Sequence, residues 1–555
     1  MQTNTETNTE TNTVADILVD TLHNAGLDIV FGLPGGENVE VIDALRRAGI
    51  RFVLVRNESS AVYMADVYAR LTGKLGVALT TLGPGATNAF VGVAHADLDR
   101  APVILITAET NQSFLPGHTH QVYDLQTIFA PITKLTVSLT PENVRQAVAD
   151  ALRLTTEGRP GPVHLSLSRE MAAKEVPAST SMDAPATPTV TMGSTAAAHA
   201  GSADLLADLA AARSALEGAS RPVLLVGVGM EPEGCYAAVE ALAAVASAPI
   251  IVTPKSKGAI SDRHRLAAGA LGITRADPVY EILDEADLIV AVGFDVVELV
   301  KPWDQMQPTI WVAPFANADA AIPAVAEFVG PMEPALNALA ECAFETDPAW
   351  GATRVAALHA KLAAQLLPTA AAGRMLPQAV LRALRANVSD ETLITTDVGS
   401  HKICTALEWP AYVPNRYMLS NGLSAMSFGV TGAMAGALAL DEPTVCVTGD
   451  AGFSMVMGEL SLLTELDLPL IIVVMNDSAL DLIRAAQHRA GKPAFGTEFT
   501  NPDFSKIADA FGLDFYRVAD EAACAAAVQA AVAKRGPVLI EALIDPISYP
   551  TTPKS

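Results

Sequence analysis

The chain has 555 residues, half of them hydrophobic and 17% charged, with a formal net charge of −25. That length exceeds one ordinary core and calls for several domains, and the acidic balance excludes a basic face for a phosphate backbone. Cys235, Cys342, Cys404, Cys446 and Cys524 stand far apart, which excludes a disulfide framework or a zinc site and suits a reducing, cytoplasmic setting.

Residues 1–13, MQTNTETNTETNT, form a polar repeat without basic residues or an apolar core, expected to be a disordered tail and not a signal peptide. Over 14–175, short apolar runs (FVLV, GVALTT, PVILIT, PVHLSL) alternate with helical periodicity, the pattern of a parallel sheet covered on both faces. A stretch rich in Pro, Ser, Thr and Ala over 176–202 reads as a linker. A second α/β unit is expected over 203–345, with strands at PVLLVGVG, PIIVTP, LIVAVGF and TIWVAP. A helical linker over 346–374 leads to a third unit over 375–545, with strands TLITTD, PTVCVTGD, PLIIVVMND and PVLIEALID, and a tail over 546–555. The fold class is therefore α/β, three doubly wound domains with mainly parallel sheets. The first and third units match in size and style without a visible internal repeat. Residues 421–440, NGLSAMSFGVTGAMAGALAL, carry no charge over about the length of a bilayer span. Their glycines, and Asp441 and Glu442 directly after them, predict instead a buried helix packed through small residues, and no membrane partner.

Two consecutive strands of the third unit end in polar groups, CVTGD at Asp450 and IIVVMND at Asn476. Ligands of open parallel sheets gather at the carboxyl ends of strands, so both side chains are expected in one crevice. A hard cation such as Mg²⁺ takes oxygen ligands and keeps room for phosphate oxygens; Asp450, the Asn476 amide oxygen and the Ser478 carbonyl would supply the protein's share. Gly449, Ala451 and Gly452 are small enough to leave backbone N–H groups open to a phosphate at the start of the next helix. Singly, Asp450 is as well read as an N-cap and Asn476 as a turn residue. The pair at equivalent strand ends favours a metal site.

This GD…ND spacing resembles the metal–diphosphate motif of thiamine diphosphate-dependent enzymes. VFGLPGGENVEVIDAL, NESSAVYMADVYARLTGKLGV, TLGPGATNAFVGVAHADLDRAPVI and TTDVGSH resemble segments of the acetolactate synthase-like branch, and the likeness covers nearly the whole chain. It implies a pyrimidine-binding domain, a middle domain and a diphosphate-binding domain, with thiamine diphosphate and Mg²⁺ as cofactors. Glu58 stands at the position of the glutamate that hydrogen-bonds the aminopyrimidine ring. Gly399, Ser400 and His401 would meet diphosphate oxygens, and Met426 would wedge beneath the cofactor, with a plain core methionine as its rival. Gln121 matches a glutamine that orients the substrate, and Lys134 either attracts a 2-oxo acid carboxylate or is a solvated lysine. Asp481 and Arg484 either line an acceptor pocket or lie on a solvated helix face.

The stretches VMNDSALDLI and LIVAVGFDVVELVKPW resemble the catabolic enzymes, and no arginine-bearing FAD segment matches VGFDVVEL, so FAD is not expected. The resemblance implies decarboxylation of a 2-oxo acid, pyruvate by default, with carboligation to a second carbonyl. It also implies a homodimer at minimum, with a homotetramer expected, and no nucleic-acid partner. Alternatives are a simple 2-oxo acid decarboxylase, a benzaldehyde-lyase-like carboligase, an acyl-transferring relative, or a regulatory cofactor-binding paralogue.

Overall fold

A computed structural model describes residues 12–176, 202–272, 277–317, 322 and 324–549. Residues 1–11, 177–201 and 550–555, which hold nearly all of the expected N-terminal tail and first linker and the end of the C-terminal tail, lie outside them. Three six-stranded sheets form the framework, and all their pairings are parallel. The α/β class with three sheet domains is therefore as expected.

The first compact unit contains one sheet. Its strands are β1 (Ile29–Leu33), β2 (Arg51–Leu54), β3 (Gly76–Thr80), β4 (Val103–Glu109), β5 (Thr136–Ser138) and β6 (Val163–Ser168), in the order β2-β1-β3-β4-β6-β5. The second unit contains the other two sheets. One has β7 (Pro222–Val226), β8 (Ile250–Val252), β9 (Ala267–Ala270), β10 (Leu288–Val292), β11 (Thr309–Ala313) and β12 (Ala324–Val329), ordered β12-β11-β10-β7-β8-β9. The other has β13 (Ile394–Thr396), β14 (Tyr417–Leu419), β15 (Thr444–Gly449), β16 (Leu470–Asn476), β17 (Asp514–Val518) and β18 (Val538–Leu543), ordered β14-β13-β15-β16-β18-β17. The first and last sheets thus share one relative strand order. The middle sheet, read from β9, has the order of dinucleotide-binding folds.

Central strands are buried along their whole length, as in β3, β7 and β10, because helices cover both faces. Helix Ala352–Ala363, in the stretch expected as a linker, buries Val355 and Leu358 in the middle domain's core. Helix Phe428–Leu440 accounts for most of the uncharged 421–440 stretch and is buried from Phe428 to Ala437. Its small residues permit close packing: a Cβ at Gly436 would lie 2.3 Å from Leu393 Cδ2. Among the described residues, no helix is long and apolar enough to cross a membrane.

Helix Glu58–Thr72 follows β2 and is buried from Ser60 to Arg70. It starts at Asn57, whose side chain accepts from Ser59 N, and stops at Gly73, in the left-handed region with φ 69°. Its neighbour, helix Pro84–Leu98, touches it closely, since a Cβ at Gly92 would lie 2.6 Å from Val62 Cβ. Between the two helices His95 is clamped, Nε2 3.0 Å from Asp66 and Nδ1 3.0 Å from Asp99, all three side chains buried. Burial alone would depress the imidazole pKa, but Asp99 and Asp66 outweigh it, and the pKa is raised.

A histidine with a raised folded-state pKa contributes stability that is full below its unfolded pKa, about 6.5, and is lost as pH rises through the folded value. Urea unfolding should therefore show a midpoint that falls as pH is raised above about 6.5, and His95→Gln should flatten that slope.

Candidate functional site

The crevice at the third sheet forms where the strand order reverses, between β13 and β15. Asp397 lies directly beyond β13 and is wholly buried. Its Oδ1 is 2.9 Å from His401 Nε2 and accepts from Thr448 Oγ1 at 3.1 Å; its Oδ2 accepts from Ser427 N at 2.9 Å. Three glycines make room for this arrangement. A Cβ at Gly399 (φ 152°) would meet the His401 ring at 2.5 Å, one at Gly449 would meet it at 3.0 Å, and one at Gly452 would meet Asp397 Oδ2 at 2.5 Å. Gly449 and Gly452 are thus small because His401 and Asp397 pack against them. Ser400 opens helix Ser400–Glu408, whose N-terminal dipole favours an anion, and Ser400 Oγ donates to Asp481 at 2.8 Å.

Asp450 is buried as the first residue of helix Asp450–Met455, and Asn476 ends β16. Asp450 and Asn476 meet at the Ser478 N–H, not at its carbonyl: Ser478 N donates to Asp450 Oδ2 at 2.8 Å and to Asn476 Oδ1 at 3.1 Å. Asn501 Nδ2 donates to the same two oxygens, at 2.7 and 3.1 Å. Two acceptor oxygens therefore flank a single point that an amide nitrogen now takes. Glu541 Oε1 accepts from Asn476 Nδ2 at 2.7 Å while Arg517 Nε holds its Oε2 at 2.7 Å, so Asn476 Oδ1 is turned toward Asp450. The Ser478 carbonyl accepts from Phe499 N at 3.2 Å and keeps a second lone pair. Ala451 N donates to Asp450 Oδ1 at 2.9 Å.

Carboxylates crowd this end of the sheet. Burial raises the pKa of Asp450, and burial with neighbouring Asp450 and Asp481 pushes Asp477 up to about 7, against the pull of Arg484. Arg484 pairs with Asp481 at 2.8 Å and with Asp477 at 3.5 Å, so both residues left open by the sequence belong to this polar cluster and not to a bare solvated face. Met426 is half-buried in the loop before helix Phe428–Leu440. That loop holds Ser424 and Ser427 at φ 56° and 81°, a conformation that non-glycine residues keep only where surroundings impose it.

In the first unit, Glu58 is buried at the start of its helix. Asn88 Nδ2 donates to Glu58 Oε2 at 3.0 Å, and Ser59 Oγ donates to Asn88 O at 2.5 Å. Gly85 faces the other oxygen, Oε1, at 3.4 Å from where a Cβ would be. Gln121 sits on a separate loop with φ 58°, against Gly83, whose own φ of 56° suits glycine. Gln121 lines a cavity of about 310 Å³ together with Glu109, Gln112, Tyr123, Asp124 and Gln126. Lys134 does not serve a substrate carboxylate: its Nζ donates to the Glu157 and Arg159 carbonyls, and burial lowers its pKa to about 8.

Three family descriptions match the chain: the N-terminal TPP binding domain of thiamine pyrophosphate enzymes over 12–128, their central domain over 209–339, and their C-terminal TPP binding domain over 397–542. The chain belongs to the thiamine pyrophosphate enzyme family. The acetolactate synthase isozyme 1 large subunit of Escherichia coli is 32% identical, over 97% of this chain and 95% of its own. An acetolactate synthase of Bacillus subtilis is 28% identical over 95% and 92%. A protein of Pseudomonas aeruginosa named probable 2-ketoarginine decarboxylase is 30% identical over 89% and 87%.

For a thiamine pyrophosphate enzyme the donor set at Asp450 is chemically apt. Among the described residues no three His, Cys, Asp or Glu side chains cluster as for a transition metal. One carboxylate, one amide oxygen and one carbonyl instead leave coordination places for phosphate oxygens, as Mg²⁺ prefers. The buried Asn501 Oδ1, which has no hydrogen-bond partner among the described residues, is a further oxygen beside the set. Asp397, Asn501, Glu541 and Asn88 were not singled out from the sequence. Asp397 stood in the quoted TTDVGSH, and Asn88 stood in TLGPGATNAF. Glu541 stood as a carboxylate inside the apolar strand PVLIEALID, whereas nothing near Asn501 marked it, because it acts across 25 positions.

Partners of metal ligands commonly change affinity about 10- to 100-fold when removed. Glu541→Ala should raise the Mg²⁺ concentration needed for thiamine diphosphate binding by that order, read by titrating cofactor-induced fluorescence quenching with Mg²⁺.

Proposed function

We propose that this chain is a thiamine diphosphate- and Mg²⁺-dependent, acetolactate synthase-like enzyme. It decarboxylates a 2-oxo acid, with pyruvate the reference donor, and joins the remaining acyl unit to a second carbonyl. The observation that carries this reading is the convergence of Asp450 and Asn476 on one point beside the crevice built around Asp397. Thiamine diphosphate, when bound, supplies the electron sink that lets the carboxylate leave as CO₂.

The chain's own groups divide the remaining work. Asp450, Asn476 and the Ser478 carbonyl would hold Mg²⁺, whose charge would offset that of the diphosphate. Gly399, Ser400 and His401 bring a helix N-terminus, a hydroxyl and an imidazole to the phosphate oxygens. With Nε2 given to Asp397, His401 offers Nδ1 as a donor only as the imidazolium. Glu58, with Oε2 held by Asn88, keeps Oε1 to exchange a proton with the aminopyrimidine ring. Gln121 orients the substrate carbonyl by its amide, and Met426 supports the cofactor from below. FAD has no part in this reading.

Relatives of two chemistries support a pair of outcomes: capture of a second carbonyl, as in the acetolactate synthases, or capture of a proton, as in a decarboxylase. Incubation with pyruvate should give acetolactate, detected as acetoin after acid; free aldehyde without acetoin would assign the decarboxylase outcome. Glu58→Gln should retain cofactor binding and lose turnover by about 10²-fold or more, whereas Asp450→Ala should lose Mg²⁺ and cofactor together. Wild-type turnover in Glu58→Gln would refute the assignment.

The active form in this reading is a homodimer at minimum, or a homotetramer, with Glu58 of one copy serving the diphosphate site of another. Mixing inactive Glu58→Gln and Asp450→Ala chains should then restore activity, to about a quarter of wild type for random pairing. No recovery after mixing and subunit exchange would exclude shared sites.

A further inference from the structure

The cavity beside Gln121 carries a charge that the proposed chemistry does not use. Glu109 closes β4 and is half-buried there. Its Oε2 accepts from Ser138 Oγ at 2.8 Å and from Ser166 Oγ at 2.6 Å. Its Oε1 accepts no hydrogen bond among the described residues, and no described Lys, Arg or His lies within ion-pair distance of it. The groups behind the two serines are neutral. Gln126 Nε2 donates to both hydroxyls, and Gln126 Oε1 accepts from Thr136 Oγ1. Thr136 reaches His164, which burial keeps uncharged with its pKa lowered to about 3.

The cavity lining repeats that imbalance. It includes two carboxylates and no cationic side chain. Asp124 is committed, because both its oxygens cap helix Leu125–Phe129 through Thr127 N and Oγ1. Gln121 makes no hydrogen bond among the described residues. The lining therefore includes an uncommitted amide and an uncommitted carboxylate oxygen. A partly buried carboxylate without a counter-charge is costly to keep and selects a cationic partner. At about 310 Å³ the space suits a small ligand.

We propose that this cavity selects a 2-oxo acid whose tail ends in a cation, a guanidinium or ammonium group pairing with Glu109 Oε1 while Gln121 faces the oxo group. Glu109 is then the specificity-determining residue of the site. The inference rests on the reading that 2-oxo acids react beside Gln121, and it adds a tail that pyruvate lacks.

The test uses the holoenzyme with thiamine diphosphate and Mg²⁺, and measures CO₂ release from four substrates. They are pyruvate, a 2-oxo acid ending in a guanidino group, its neutral ureido isostere, and a trimethylammonio analogue. A hydrogen bond to a charged group is worth roughly 10- to 100-fold. The guanidino acid should exceed the ureido acid in kcat/KM by that order, with the difference mostly in KM and shrinking with added salt. Glu109→Gln, which keeps the size and the serine contacts, should bring the two to about the same kcat/KM. The trimethylammonio acid separates charge from hydrogen bonding: turnover near the guanidino value assigns charge alone, and turnover between the ureido and guanidino values assigns both. Equal use of guanidino and ureido acids by the wild type overturns the inference, even if Glu109→Gln fails to fold. Turnover of pyruvate with neither long acid accepted overturns it while leaving the function intact. No CO₂ from any of the four, with cofactor bound, removes the functional reading and the inference together.

Discussion

Asp397 carries no proposed catalytic task, yet the diphosphate end of the molecule is organised around its carboxylate. It is buried beyond a short central strand and collects an imidazole, a hydroxyl and a backbone N–H from three other elements. Each of those elements carries something the site needs: His401 on the helix that starts the anion site, Thr448 on the strand that delivers Asp450, Ser427 on the loop of Met426. A buried carboxylate is tolerated only when its oxygens are fully engaged, so these three partners cannot drift independently. The nearby glycines follow from the same constraint. Gly399, Gly449 and Gly452 are the surfaces against which the hub and its histidine are pressed.

The first unit solves a comparable problem with less charge at the reacting group. Glu58 is fixed by an amide, Asn88, and its helix is fixed to its neighbour by the charged clamp of His95 between Asp66 and Asp99. Close approach at Gly92 makes that clamp short enough to form. Both sheets with the same strand order present polar groups beyond strand carboxyl ends, though from different strands: Glu58 follows β2, whose counterpart is β14, while Asp450 and Asn476 follow β15 and β16. Shared architecture here places the groups; the residues alone decide what they do.

Much of this was legible in the sequence, and the misses have physical causes. Continuous apolar runs located the central strands correctly, because a strand covered on both faces must be apolar throughout. The strands passed over were β1, β5, β9, β12, β14 and β17, and all but β1 lie at a sheet edge. No single pattern marks these edges: β17, DFYRV, keeps only Val518 buried, β9, AAGA, is mostly buried but built of small residues, and β14, YML, is wholly buried but only three residues long. β1 was hidden differently, inside VFGLPGGENVEVIDAL, a segment quoted for its family resemblance and not read for strands. Among site residues, Asp450 and Asn476 were readable from their strand ends, whereas Asp397, directly beyond β13, was passed over inside TTDVGSH. Asn501, which reaches the site from far along the chain, leaves no local signal. Lys134 misled because a positive charge in a suggestive motif says nothing of which carbonyls claim it.

Asn501 illustrates what an amide can do that a charged side chain cannot. Its nitrogen spans the oxygens of Asp450 and Asn476, while its own oxygen is buried without a partner. A half-turn about one side-chain bond exchanges the two ends, converting a donor that mimics a cation into an acceptor that could ligate one. The crevice can thus relieve repulsion between its acceptors by itself, without rearranging the strands that carry them. Loading an ion there would ask for a rotation of the Asn501 side chain, whose oxygen is buried.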